Sequence, residues 1–188
     1  MNEQAPLPYG VAFREVARCV YQTAQLLARR RVHLRPEHVG QQLRFADGTS
    51  ARVYRETVVA SGECQDPCVL VVEFRLRLVR GWGHAVFRWE SLLNTPLFVG
   101  FPGFCTKLWL AHDQHGVYRG VYQWDTAELA ERYARSLWRV LALGSVPGSI
   151  HYVVLPGLRR DDVLRDPRVA DGVVRDDPAG WWRPVEAA

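Results

Sequence analysis

Between Val69 and Leu155 the spacing of apolar residues changes period four times, in the order strand, helix, strand, strand, helix, strand, and few folds accept that order. VLVVEFRLRL (Val69–Leu78) places Leu70, Val72, Phe74, Leu76 and Leu78 on one side. Glu73, Arg75 and Arg77 fall on the other, which predicts a strand with one core face and one polar face. WGHAVFRWESLLN (Trp82–Asn94) gathers Ala85, Val86, Trp89, Leu92 and Leu93 on one helical side, and Thr95-Pro96 ends it. FCTKLWLA (Phe104–Ala111) and VYRGVYQW (Val117–Trp124) flank the loop HDQHG as a hairpin. Asp125 and Glu128 form a capping box for a helix that carries Leu129, Tyr133, Leu137, Val140 and Leu141 and stops at Gly144. SIHYVVL (Ser149–Leu155) is the last strand.

This order is that of an α+β, ferredoxin-like domain: a four-stranded antiparallel sheet with both helices on one face. The other face needs a cover, which many proteins of this order take from the same face of a second subunit, so a homodimer through the sheet faces is expected. Residues 1–66 read as an N-terminal extension packed on the core, 67–158 as the domain, and 159–188 as a tail docked by Trp181 and Trp182. The extension holds a helix over Tyr9–Arg31, striped by Phe13, Val16, Val20 and Leu27, and a hairpin turning at Asp47-Gly48. One helix and one hairpin are too little for an independent core. If Ala111 pairs with Val117, then Phe104, Thr106, Leu108 and Leu110 share a face with Tyr118, Tyr122 and Trp124. Lys107, Trp109 and Arg119 then share the other, and a one-residue slip exchanges the two sets.

Composition narrows the function. No stretch approaches the roughly 18 to 20 apolar residues of a membrane span, and the first residues show no secretory pattern, so a soluble cytoplasmic protein is expected. The net charge is +4, yet the basic residues are dispersed apart from Arg29–Arg31, which argues against nucleic acid as a partner. Lys107 is the one lysine among the 24 basic residues. A GC-rich coding sequence accounts for the arginine bias, and it singles out position 107. Cys19, Cys64, Cys68 and Cys105 lack zinc-site spacing. Cys19 and Cys105 read as buried hydrophobes. A Cys64–Cys68 disulfide is the local option, disfavoured in a reducing compartment. His112 and His115 fit a solvated hairpin loop, and no metal is expected.

PGFCTKLWLAHDQHGVYRGVYQWDTAELAERYARSLW resembles the central block of the small dimeric α+β barrel mono-oxygenase family. The matches are Pro102-Gly103, Lys107 with Trp109, Gly120 with Tyr122, Trp124, and Asp125 opening the helix. The resemblance covers about Val69 to Leu158. It implies a dimeric barrel and an oxidoreductase: a cofactor-independent mono-oxygenase acting on an aromatic or polyketide-like molecule in secondary metabolism such as antibiotic biosynthesis. A non-redox cyclase, isomerase or dehydratase on the same barrel and a non-catalytic ligand-binding protein stand as alternatives. The haem-degrading branch has an axial histidine on its second helix, and Thr126–Leu143 has none.

Cofactor-free oxygenation needs a base, groups that hold the resulting anion, and a water-poor cavity. His84, His151 and Tyr122 are the candidate catalytic residues. Arg88, one turn after His84, and Asn94 are candidates for binding the substrate's polar end. Trp82, Trp89, Phe104, Trp109 and Trp124 are candidate walls of a slot for flat rings. Each also has a plain structural role open to it, as a packed core aromatic, a cap or a solvated helix residue. The expected cavity lies between the sheet and the Trp82–Asn94 helix, with His84 and Arg88 at its polar end. Glu73 competes as a partner for Arg88.

Overall fold

Eight antiparallel strands join in one sheet in the computed structural model, which describes residues 5–60, 64, 66–77, 95–173 and 180–187. The elements are α1 (Tyr9–Ala28), β1 (Val32–Arg35), β2 (Gln42–Phe45), β3 (Ser50–Val59), β4 (Cys68–Arg75), β5 (Phe104–Leu110) and β6 (Val117–Trp124). They continue with α2 (Ala127–Gly144), β7 (His151–Pro156), α3 (Arg160–Arg165) and β8 (Pro184–Ala187). The helix predicted over Trp82–Asn94 lies outside the described residues. No helix among the described residues is long and apolar enough to cross a membrane.

The strand order is β7-β4-β6-β5-β3-β2-β8, with β1 also paired to β3. Its first four members are the four strands of the periodic block, lying in the ferredoxin-like order. The N-terminal hairpin extends this sheet edge to edge. β3 pairs with β5 from Val53 to Val58, and its other edge takes β2 at Ser50–Arg52 and β1 at Glu56–Val59.

The two faces of the sheet are both buried. On one, Leu70, Val72, Phe104, Trp109, Tyr122 and Trp124 pack with Tyr133 and Ala130 of α2 and Cys19 of α1. On the other, Val69, Val71, Leu108, Leu110, Val121 and Leu155 pack with Val163, Leu164, Ala170 and Trp182 from the C-terminal segment. The expected polar face of β4 is therefore a second core: Val69 and Val71 are buried, and only from Glu73 onward does that side turn polar. The apolar run VLVV is the signature of a strand buried on both sides. Each fully buried Val, Leu or Trp contributes about 1.5–3 kcal/mol, enough for a few of them to hold the tail in place.

A buried guanidinium fastens that tail. Arg160 donates to Glu56 on β3 (2.8 Å) and Thr106 on β5 (2.8 Å), while its backbone N–H donates to the Gln123 side chain on β6 (2.8 Å). One residue thus bridges three adjacent strands. Glu56, 1% exposed, also meets His38 Nδ1 at 2.9 Å.

Three local expectations are corrected. On α1 the inward face is Ala12, Cys19 and Thr23, with Val16 and Leu26 beside it, while Phe13, Val20 and Leu27 are exposed. Small residues win because α1 sits very close to the 95–101 turn, where Cys19 and Thr23 both donate to the Pro96 carbonyl. The N-cap of α2 is Thr126, whose hydroxyl accepts from the Leu129 N–H at 3.3 Å, rather than Asp125. Cys105, read as a buried hydrophobe, is paired in a disulfide with Cys64, whose local option was Cys68. Cys68 opens β4 with its thiol in the helix-side core, where burial pushes it up to about 12.

Gly100 marks the tightest contact of α1, for a Cβ there would overlap the Cys19 backbone carbonyl. Gly100→Ala is expected to cost about 1–3 kcal/mol, a fall of roughly 3–10 °C in Tm; an unchanged melt would refute the close packing. The tail already covers the sheet face through which a homodimer was expected. Light scattering at micromolar concentration should therefore give the mass of one chain, 21.5 kDa, and twice that mass would show that the subunits meet despite the tail.

Candidate functional site

The site begins with the register of β5 on β6. Lys107 pairs with Tyr122, Leu108 with Val121 and Trp109 with Gly120, one residue away from the Ala111–Val117 pairing considered above. Because side chains alternate, this shift places Lys107 and Trp109 on the helix face with Tyr122 and Trp124, and sends Thr106, Leu108 and Leu110 to the tail face. An irregularity between Phe104 and Thr106 absorbs one residue, so Phe104 rejoins the helix face. Gly120 is required here: a Cβ would stand 2.8 Å from the Tyr122 ring, which leans back over it.

Between these strands and α2 lies a cavity of about 220 Å³. Its described lining is almost wholly apolar and aromatic, with Phe74, Phe98, Trp109 and Tyr122 facing Leu137 and Trp138. That is below the roughly 300–1,000 Å³ typical of drug-sized sites, which suits a compact ring system. Lys107 is the one charged side chain among the described lining residues. Its Nζ lies 3.2 Å from the centre of the Trp109 ring, 4.5 Å from Phe98 and 4.6 Å from Tyr122. The Trp109 indole is held by its N–H donating to Thr57 Oγ1 at 3.1 Å, and the Arg55 guanidinium stacks on the same ring at 3.8 Å.

Burial drives the Lys107 amine well below the ordinary lysine range, and the nearby Arg55 cation pushes it further the same way. The three rings work against this, since each cation–π contact is worth about 0.5–2 kcal/mol. Desolvating an ammonium with no carboxylate partner costs several kcal/mol, and among the described residues no salt bridge reaches Lys107, so burial shifts its balance toward the neutral amine relative to an exposed lysine. Tyr122 and Tyr133 are driven the other way: burial holds both phenols protonated above their ordinary range. Tyr133 donates to the Tyr122 hydroxyl oxygen at 3.2 Å, which leaves the Tyr122 proton available for an oxygen in the cavity.

The predicted site residues divide into four groups. Tyr122 and Trp109 line the cavity together. Phe104 and Trp124 stand behind its wall, stacked edge-on against each other at 5.6 Å. His151 is exposed on the opposite face, across from Glu73 on β4 and beside Trp181. Trp82, His84, Arg88, Trp89 and Asn94 lie outside the described residues. Glu73 meets Arg119 at 3.2 Å, on the tail face. The sequence reading missed Lys107, Phe98, Tyr133 and Trp138 as site residues. For Lys107 the signal was its uniqueness; for the others no local pattern marks a cavity. No group of three or more His, Cys, Asp or Glu side chains gathers as a metal site among the described residues.

No family model matches the chain, and no curated protein matches it in sequence. Among solved structures, a ferredoxin-fold protein of Listeria monocytogenes related to antibiotic biosynthesis monooxygenases is similar at 14% identity and TM-score 0.42. That match covers 60% of this chain and 66% of the other. A monooxygenase-like protein of Listeria innocua gives 15% and 0.41 over the same shares. An anthrone oxidase-like protein gives 14% and 0.37, over 59% of this chain and 55% of its own. The chain thus spans just under two thirds of the length of the first of these neighbours. The ferredoxin-like description rests on this chain's own strand order.

Lys107→Met removes the amine and keeps the length of the side chain. A depressed lysine pKa means that the unfolded chain binds a proton that the folded one lacks. Wild-type stability should therefore rise with pH from the depressed value up toward the ordinary 10.5. The variant has no such dependence at this site, so its Tm advantage over wild type should shrink as the pH is raised toward 10.5. A difference that stays constant as the pH rises toward 10.5 would show that Lys107 titrates like an exposed lysine.

Proposed function

We propose that this cavity is the active site of a cofactor-independent, mono-oxygenase-like enzyme acting on a compact aromatic or polyketide-like molecule, with Lys107 as its base. The observation that carries the reading is one buried lysine amine, its pKa lowered by desolvation, in a chamber whose other described lining is rings and aliphatic side chains. A neutral amine takes a proton from a carbon made acidic by a neighbouring carbonyl or aryl group. The negative charge spreads onto the substrate oxygen, where the Tyr122 hydroxyl donates to it. The apolar walls keep water away while that electron-rich carbon meets O₂. The base is thus a lysine rather than His151, which faces away from the cavity.

Anthrone, a compact ketone whose CH₂ is flanked by two aryl rings, carries such a carbon and serves as a probe. Its CH₂ becomes a ketone with one oxygen atom of O₂, and the two hydrogens leave with the other as water. Oxygen uptake and quinone absorbance should rise well above the buffer blank. Lys107→Met should lower the rate by about 10²-fold or more, the usual worth of a positioned base. A variant as fast as wild type, or no rate above the blank, would end this reading. Turnover that persists without O₂ would replace it with a non-redox isomerase or cyclase.

A further inference from the structure

We infer that Lys107 condenses with the carbonyl group of an aldehyde or ketone held in the cavity, forming an imine, so that the site selects carbonyl compounds. The inference rests on the reading of the cavity as a small-molecule site, and adds a covalent step to it.

The first support is the chemistry that position 107 alone makes possible. At every other basic position this chain uses arginine, 23 times over. A guanidinium stays protonated in proteins and is a poor nucleophile, whereas a lysine amine can be discharged by burial. A buried cation as such does not require lysine at this place, because Arg55 sits on the same face, paired across the strands with Trp109. What a lysine adds is a lone pair. Amines desolvated in an apolar pocket, or set beside another cation, are activated in this way, and Lys107 has both neighbours.

Geometry supplies the rest. Among the described residues, Arg55 from β3 and Tyr122 from β6 stand near Nζ, Tyr133 from α2 and Tyr152 from β7 line the same cavity, and none of these is a carboxylate. Lys107 and Tyr122 are directly opposed across the strands, so an amine and a hydroxyl donor come from one rigid pair. The amine lone pair attacks the carbonyl carbon, and the π electrons move to oxygen, which takes a proton donated by Tyr122. Nitrogen returns a proton to the phenolate, giving a carbinolamine. Loss of the hydroxyl with a second proton releases water and leaves the imine. One carbonyl and one amine give one imine and one water, with no oxidant or reductant.

The test uses the full chain, naphthaldehyde as probe and naphthalenemethanol as its non-carbonyl analogue. Borohydride added to protein and aldehyde should fix one adduct besides that of the N-terminal amine, with the mass of the aldehyde less one oxygen. Peptide mapping should place it at Lys107, the one lysine, and labelling there should be about tenfold faster than in the unfolded chain. Tryptophan fluorescence reports binding of both probes independently. If both bind and Lys107 is not modified, or is modified no faster than in the unfolded chain, the imine inference is overturned and the cavity reading stands. If neither binds and no adduct forms, both fall. Lys107→Met should bind the alcohol and give no adduct beyond that of the N-terminal amine. Should that variant not fold, mapping of the wild-type chain decides alone.

Discussion

The pairing of β5 with β6 sets which side chains meet on each side of the sheet, and most of what is distinctive about this protein follows from it. Lys107 opposite Tyr122 and Trp109 opposite Gly120 put an amine, an indole and a phenol on the helix side. A slip of one residue would turn Lys107 into the tail-side core and bring Leu108 toward α2. The irregularity at Phe104–Thr106 lets one strand satisfy both ends of this requirement, with Phe104 and Lys107 on the same face despite their odd spacing. Gly120 completes the arrangement by leaving the space over which the Tyr122 ring lies.

The same alternation explains how charge is distributed. Glu56, Glu73, Arg119 and Arg160 belong to the tail face, where they are paired. Arg119 meets Asp47 at 2.8 Å, Asp113 at 3.0 Å and Glu73 at 3.2 Å, and Arg160 meets Glu56 at 2.8 Å. Buried ion pairs of this kind contribute little net stability, but removing one partner strands the other at a cost of about 3–5 kcal/mol. They act as fasteners: Arg160 joins the C-terminal segment to three strands, and Arg119 joins β6 to the hairpin turn and to β4. With these carboxylates on the far side of the sheet, the described residues of the cavity face set Lys107 beside Arg55 and neutral phenols, and burial, with Arg55 adding to it, lowers the pKa of the amine.

The function proposed for the cavity thus depends on a division of labour between the faces. The tail face holds satisfied polar groups and closes the fold from within the chain. The helix face keeps a void, because the bulky rings of Phe98, Trp109 and Trp138 meet edge-on or at their rims and do not fill the space under α2. Apolar walls of this kind disfavour a bare charge, the condition that favours an amine as a base or a nucleophile over an ammonium.

By itself the sequence determined the number and order of the main strands, because a period of two or 3.6 depends only on neighbours along the chain. The same locality made the HDQHG hairpin, the Asp47-Gly48 turn and the end of α2 at Gly144 legible, and it marked Lys107 as singular. It did not determine which face of a doubly buried strand meets which layer, since Val69 and Leu70 are equally apolar. Nor did it show the inward side of α1, where Cys19 and Thr23 win over Phe13 because a close approach at Gly100 admits only small side chains. The partner of Cys64 lies 41 residues away across the sheet, beyond any local pattern. The same holds for the Arg160–Glu56 pair and for the meeting of Lys107, Trp109, Tyr122 and Tyr133. Register, tail docking and cavity all arise from contacts between segments distant in sequence, and only the tertiary structure decided them.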